Sequence, residues 1–298
     1  MQEIERFRGC LLGLAAGDAV GTTVEFRSRG SFAPMTDMVG GGPFGLQPGQ
    51  WTDDTSMALC LATSLVEVGG FDPMDQMNRY CDWYDNGYLS STGACFDIGN
   101  TTSQALYQYK SSQDPFSGST HPHAAGNGSI MRLAPVPMFY ASDRDRVLHF
   151  SGESSRTTHG AAECVDACRL FGDILRRALW GTDKAALLFD SDPDIVTAPA
   201  IQSILNGEYR DKSMHEIQGT GYVVQSLEAA LWCFWTTETY EQAILTAANL
   251  GDDADTTAAI CGQVAGAYYG EAGIPSPWLE KLTLRQEITQ LAEQLYLF

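Results

Sequence analysis

The chain of 298 residues can bury a large core, and no composition shift or low-complexity run divides it, so one domain over 1–298 is expected. Lys+Arg 18 against Asp+Glu 37 give a formal net charge of −19, which argues against electrostatic binding to nucleic acid or to an anionic membrane. The eight cysteines sit mostly in apolar runs such as LCLAT and LWCFW without zinc-type pairing, MQEIERFRGC lacks a signal-peptide pattern, and no stretch is an uncharged span, so a reducing, cytoplasmic setting is expected.

In chain order, the first predicted helix covers about 4–20, IERFRGCLLGLAAGDAV, with Gly9, Gly13 and Gly17 at four-residue spacing. Each glycine costs about 1 kcal/mol inside a helix, so the stripe marks a close helix–helix approach. Asp18 and the charged flanks exclude a membrane dimer face. Glu25 lies beyond the helix end, among the turn residues GTTVEFRSRG. The segment 40–49, GGGPFGLQPG, reads as a mobile loop and a candidate lid. It leads into WTDDTS, where Thr52, Asp53 and Asp54 open an apolar helical run to about 68.

Another helix is predicted to start near Pro73. In FDIGNTTSQALY, Thr101 and Thr102 are accounted for as helix caps, whereas Asp97, before the Gly-Asn turn, is not and stands as a further acidic candidate. The GNGS turn, Gly126, Asn127, Gly128 and Ser129, offers backbone N–H groups suited to a pyrophosphate, although such turns commonly just connect helices. Arg132, on the apolar helix expected next, either adds positive potential there or pairs with a carboxylate at the surface. His159 falls between two helical stretches, at a helix start rather than on a buried face, and is the histidine best suited to touch a ligand. The segment 183–219 is the least informative. Tyr222 leads into the helical TGYVVQSLEAALWCF as either a core aromatic or an exposed platform for a base or sugar. In NLGDDADTTAAI, Asp252, Asp253, Asp255, Thr256 and Thr257 crowd together between two helical stretches. The C-terminal amphipathic helix reads as structural.

Asp, Ser and Thr are the preferred N-caps, so either acidic cluster alone reads first as a capped helix. One cap needs one carboxylate, not three. Two such helix starts facing each other would form an oxygen-rich cage, and carboxylates so crowded are costly unless a cation neutralises them. Oxygen ligands without His or Cys suit magnesium or manganese rather than zinc or copper. Almost every segment longer than ten residues has helical periodicity, which predicts an all-α bundle with function on interhelical loops; weak strand signals around VPMFY do not change this.

GCLLGLAAGDAVGTTVEF, WTDDTSMAL, FDIGNTT, GNGSIMRLAPVP, THG, GYVVQSLEAALW and NLGDDADTTAAICGQVAGAYYG together resemble the ADP-ribosylglycohydrolase family. The likeness is greatest to its bacterial, ADP-ribosyl-dinitrogen reductase hydrolase-like branch and covers nearly the whole chain in order. It implies an all-α, orthogonally packed bundle holding two divalent ions, Mg2+ or Mn2+. The implied activity is hydrolysis of the glycosidic bond between ADP-ribose and a modified protein side chain, arginine by analogy with that branch. Carried over residue by residue, it implies metal ligands at Thr52, Asp53, Asp54, Asp253, Asp255 and Thr256, with Asp252 outside the set. It implies proton transfer by Asp97, a water oriented by Asp53 or Asp54, and a flap glutamate at Glu25. Gly126, Asn127, Gly128, Ser129, Arg132, His159 and Tyr222 would line the ADP-ribose groove.

No implied ligand is missing, which speaks for catalysis over a non-catalytic ADP-ribose-binding or immunity protein. Serine-linked, nucleic-acid-linked or O-acetyl adducts remain open as alternative substrates of the same fold. An ADP-ribosylated protein is the expected partner, with ADP-ribose as product, and the chain is expected to be a monomer. Nucleic acid enters only as a carrier of ADP-ribose.

Overall fold

Among residues 2–298, which the computed structural model describes, the backbone forms fourteen α-helices. They are α1 (Glu3–Gly21), α2 (Asp53–Val68), α3 (Pro73–Asn86), α4 (Asn100–Ser112), α5 (Pro135–Phe139), α6 (Arg144–Arg156), α7 (Ala162–Leu179), α8 (Lys184–Phe189), α9 (Pro199–Leu205), α10 (Val223–Trp235), α11 (Tyr240–Ala248), α12 (Ala254–Tyr269), α13 (Ser276–Lys281) and α14 (Arg285–Tyr296). Only isolated bridges, such as Gly41 with Leu46, interrupt the all-α character of the described residues. The strand signal around VPMFY resolves into the short α5. Among the described residues, no helix is long and apolar enough to cross a membrane.

Helix α1 is buried on every side from Gly9 to Gly21, and α12 is buried from Ala254 to Ala267. A helix apolar all round belongs in the interior of a bundle. The two pack backbone to backbone. A β-carbon at Gly9, Gly13, Gly17 or Gly21 would collide with the carbonyl oxygen of Gly266, Gly262, Ala258 or Ala254, respectively. The glycine stripe is thus the close approach its spacing predicts, and its partner is the small-residue face of α12. One hydrophobic cluster extends from Phe7 on α1 to Leu295 on α14. Cys10, Cys60, Cys164, Cys168, Cys233 and Cys261 are buried within it, and all eight cysteines are free thiols.

Local signals set the helix ends. Asp72 caps α3 by accepting from the Met74 and Asp75 N–H groups at 2.9 and 3.1 Å, and Pro73 occupies the first turn. Helices α2 and α3 stop at Gly69 and Gly87, both left-handed at φ 74° and 72°.

The segment expected to be a mobile loop is instead tied down. Gly41 and Leu46 exchange backbone hydrogen bonds of 2.7 and 2.9 Å, the Thr23 hydroxyl donates to the Gly40 carbonyl (3.1 Å), and the Thr283 N–H donates to the Gly49 carbonyl (2.9 Å). Gly42 and Gly49 have positive φ and lie so close to the Thr22 and Lys281 carbonyls that any β-carbon would collide. Here the glycines allow tight packing rather than slack.

Candidate functional site

The N-termini of α2 and α12 meet beside the last turns of α1. Thr52 occupies the N-cap position of α2, but its side chain does not cap the helix. Asp18 of α1 does so from outside. Its Oδ1 accepts from the Thr52 N–H (2.9 Å) and lies 3.0 Å from the Thr52 hydroxyl, while Oδ2 accepts from the Thr55 N–H (3.1 Å) and hydroxyl (2.6 Å). The Thr52 hydroxyl also lies 3.2 Å from Asp255 Oδ2, and the Thr256 hydroxyl donates to Asp54 Oδ1 at 3.3 Å. The two acidic motifs, 202 and 203 positions apart across these contacts, therefore fold onto each other.

Carboxylate oxygens of Asp53, Asp54 and Asp255 lie within 4.8 Å of one another, and so do those of Glu25, Asp97 and Asp255. Asp255 belongs to both groups. Asp54 Oδ2 and Asp255 Oδ1 are buried without a hydrogen-bond partner. Burial first, and then neighbouring carboxylates, hold Asp53, Asp54 and Asp255 well above the usual carboxylate range. Burial and then Asp97 push Glu25 up to about 10; burial and then Asp18 and Asp253 push Asp97 to about 7. Orphaned, crowded, all-oxygen donors of this kind fit a divalent cation, which would satisfy the bare oxygens and relieve the repulsion.

A cavity of about 530 Å³ opens onto this cluster. Glu25, Asp53, Asp97, Asp253, Asp255 and Thr256 line one side of it, and Gly126, Asn127, Gly128 and His159 are also in its wall; Thr52 and Asp54 are buried behind. Asp97 is displayed by a left-handed backbone, φ 63°, just ahead of α4. The Asn127 amide donates to Asp253 Oδ2 (2.7 Å) and to Ser226 Oγ (2.8 Å), and its N–H donates to the Gly221 carbonyl (3.1 Å).

His159 does sit between α6 and α7, but it is buried, contrary to expectation. Its Nδ1 lies 2.9 Å from the Thr158 hydroxyl, and burial and then Arg132 press its pKa down to about 3, so the ring is neutral. The ring fills the space behind the GNGS turn: a β-carbon at Gly128 would lie 2.7 Å from His159 Cε1 and 3.0 Å from the Thr102 hydroxyl.

Two residues expected in the groove face elsewhere. The Ser129 hydroxyl accepts from Ser155 Oγ at 2.9 Å and lies behind the turn. Arg132 is wholly buried and is neither an anion ligand nor a surface ion pair. It donates to Gly128 O, Ser154 O (3.2 Å), Thr157 Oγ1 (3.2 Å), Thr158 Oγ1 (2.8 Å) and Tyr80 OH (3.2 Å). Its role is to tie the GNGS turn to the end of α6. Residues 128–132 form successive turns rather than the helix expected to carry Arg132, and this irregular backbone directs the Ser129 and Arg132 side chains toward the end of α6. Tyr222 is at the surface rather than in the core; its hydroxyl donates to Glu163 Oε2 at 2.8 Å. It lines a second cavity of about 550 Å³ that shares Thr101, Gly126 and Gly221 with the first. Asp18, Thr55 and Glu163 were not singled out in the sequence. For Asp18 the signal was present: an acid inside an otherwise apolar helix.

The sequence profile of the ADP-ribosylglycohydrolase family matches residues 1–298. ADP-ribosylarginine hydrolase Tri1 of Serratia proteamaculans is 46% identical over 296 residues, covering 99% of this chain and 80% of the relative. ADP-ribosyl-dinitrogen reductase glycohydrolase of Rhodospirillum rubrum is 31% identical over 292 residues, covering 95% and 92%. A solved structure described as an ADP-ribosylglycohydrolase-related protein complex superimposes with a TM-score of 0.89 at 42% identity, covering 99% of this chain and 98% of that one.

Proposed function

Since the chain belongs to the ADP-ribosylglycohydrolase family, we propose that it hydrolyses the bond between ADP-ribose and the arginine side chain of a modified protein, with a pair of divalent cations, Mg2+ or Mn2+. The observation that carries this reading is the carboxylate cluster centred on Asp255, with its orphaned oxygens, at the floor of a cavity. Thr52, Asp53, Asp54, Asp253, Asp255 and Thr256 would hold the cations. Four carboxylates and two hydroxyls offer more oxygens than the roughly six places around one magnesium, which favours two ions. When bound, the cations supply positive charge at the ribose hydroxyls next to the reacting carbon.

The remaining work falls to the chain itself. Departure of the guanidine needs a proton on its nitrogen, and Asp97, in the cavity wall beside the cluster and outside the proposed ligand set, is placed to hold one on its carboxyl and pass it on. Asp53 or Asp54 orients the attacking water. Glu25, in one carboxylate group with Asp97 and Asp255, flanks Asp97 in the cavity wall. Water adds its hydroxyl to the anomeric carbon and its proton balance to the guanidine, giving ADP-ribose and unmodified arginine. Gly126, Asn127 and Gly128 with neutral His159 shape the wall for the diphosphate, and the adjoining cavity with Tyr222 takes the nucleoside end. The test is release of free ADP-ribose from arginine-linked, serine-linked and nucleic-acid-linked conjugates, with and without EDTA. Release from the arginine conjugate that EDTA abolishes is expected; release indifferent to chelation would refute the mechanism.

A further inference from the structure

We infer that Phe26 and Phe44, backed by Phe96, form the leaving-group wall of the cavity and receive the guanidinium and aliphatic stem of the modified arginine. The inference rests on the arginine-linked reading above and names the residues that select for it. Two of the acids lining the cavity have a phenylalanine as chain neighbour: Phe26 follows Glu25 and Phe96 precedes Asp97. Phe44 stands between them, with its ring centroid 6.3 Å from that of Phe26, edge-on, and 5.1 Å from that of Phe96.

Phe26 cannot be explained as core packing, being 68% exposed. Nor does its backbone favour it. Its φ of 61° is left-handed, where a residue with a β-carbon is disfavoured and glycine or asparagine would be at ease. The conformation is enforced by a hydrogen bond from the Phe26 N–H to the Asp252 carbonyl (2.7 Å) and one from the Asp252 N–H to the Arg27 carbonyl (2.8 Å). These clamp the phenyl-bearing turn to the loop that leads through Asp253 into α12 and Asp255. Strain kept in a cavity wall, on an exposed aromatic, points to a ligand contact.

The ligand's chemistry follows from the neighbours. A guanidinium is a planar, weakly hydrated cation that stacks on aromatic faces and pairs with carboxylates, and here Phe26 and Phe44 line the same cavity as Glu25 and Asp97. Phe26 and Phe44 line the first cavity but not the adjoining one with Tyr222, so the nucleoside end does not compete for them. A serine hydroxyl as leaving group would gain nothing from this wall.

The test uses Phe26→Leu and Phe44→Leu, which keep apolar bulk but remove the ring, and Phe26→Tyr, which keeps it. kcat/KM on an ADP-ribosylarginine peptide should fall about tenfold in each leucine variant, chiefly through KM, and stay near the unmodified value in Phe26→Tyr. Affinity for free ADP-ribose, which carries everything but the leaving group, should hold. Unchanged kcat/KM in both leucine variants overturns the inference, as does an equal loss of ADP-ribose affinity. Unmodified enzyme that releases ADP-ribose from serine conjugates but not from arginine conjugates would sink the arginine reading, and the wall's assignment with it.

Discussion

Replacing Asp18 by Asn asks whether the carboxylate-bearing end of α2 is held from α1. The exchange is nearly isosteric, yet an amide presents one acceptor where the carboxylate presents two. Either the Thr52 or the Thr55 N–H must lose its partner, while the hydroxyls can rotate to accept from the new NH2 group. A buried N–H left without an acceptor costs about 1–3 kcal/mol. Against this stands the cost of the buried charge. Burial raises the Asp18 pKa from 3.8 to about 6 despite its four hydrogen bonds. Because the folded value lies above the unfolded one, ionisation subtracts from stability, fully above about pH 6 and not at all below the unfolded value, by about 3 kcal/mol. Asn escapes that penalty. The two effects nearly cancel, so at pH 7 the melting temperature in EDTA should move by only a few degrees. Thr52, however, loses the paired N–H and hydroxyl bonds to one carboxylate oxygen that set its hydroxyl beside Asp255. Loss of such an outer partner typically costs about 10–100-fold in metal affinity, and titration with Mn2+ should show a loss in that range. Mn2+ affinity equal to the unmodified protein's, with the fold intact, would refute the idea that Asp18 positions the site.

Asp97→Asn should lower kcat on the arginine conjugate by about 10²–10⁴-fold, the usual worth of a proton-transfer group, while leaving ADP-ribose binding in place; a kcat within tenfold would remove Asp97 from that role. Asp53, Asp54 and Asp255 lie well above 3.8 and Glu25 near 10, so the metal-free protein carries extra protons at neutral pH. Cation uptake must expel them, and by linkage the affinity rises with pH. Calorimetry of Mn2+ binding in buffers of different ionisation enthalpy should report net proton release at pH 7, and no release would contradict the crowded cluster. The same raised values make the folded metal-free state bind more protons than the unfolded chain, so its stability falls as pH rises from about 4 toward neutrality.

The parts of the site visible in the sequence were those where chemistry is locally dense. Thr52, Asp53 and Asp54 exceed what one helix cap can use, and so do Asp253, Asp255 and Thr256; the excess signalled two acidic helix starts meeting, as the contacts of Thr52 with Asp255 and of Thr256 with Asp54 show. The stripe of Gly9, Gly13 and Gly17 likewise announced a seam, although not that α12 supplies its other side. What stayed hidden depends on facing. Ser129 and Arg132 lie in turns whose irregular backbone carries no 3.6-residue register, so nothing in the spacing tells inside from outside. Asp18 was readable as an oddity in an apolar helix but not as a cap, because the helix it caps begins 35 residues later in the chain. The glycines of 40–49 gave the wrong sense, since composition alone does not separate a residue chosen for freedom from one chosen for lack of a side chain.

The seam and the site are continuous, and this yields a graded prediction. Gly17 and Asp18 are consecutive on α1, as are Ala254 and Asp255 at the start of α12, and Gly21 lies against both of the latter. The separation of the two helix backbones at that end therefore sets how far Asp255 stands from Thr52. Gly9, at the opposite end of the stripe, meets Gly266, Gly270 and Glu271 instead. Alanine at either position forces backbone against backbone, costing about 1–3 kcal/mol or more, of which at most about 1 is recovered from the better helix propensity. Both variants should melt earlier. Only Gly21→Ala, whose β-carbon would approach the Asp255 Cα to 2.5 Å, displaces a proposed ligand, so its Mn2+ affinity should fall at least tenfold while that of Gly9→Ala stays near the unmodified value. Thermal unfolding in EDTA paired with Mn2+ titration separates the two effects. Equal affinity losses in both variants would mean that helix spacing does not govern the cage, and that the loops around Glu25 and Asp252 hold it in place by themselves.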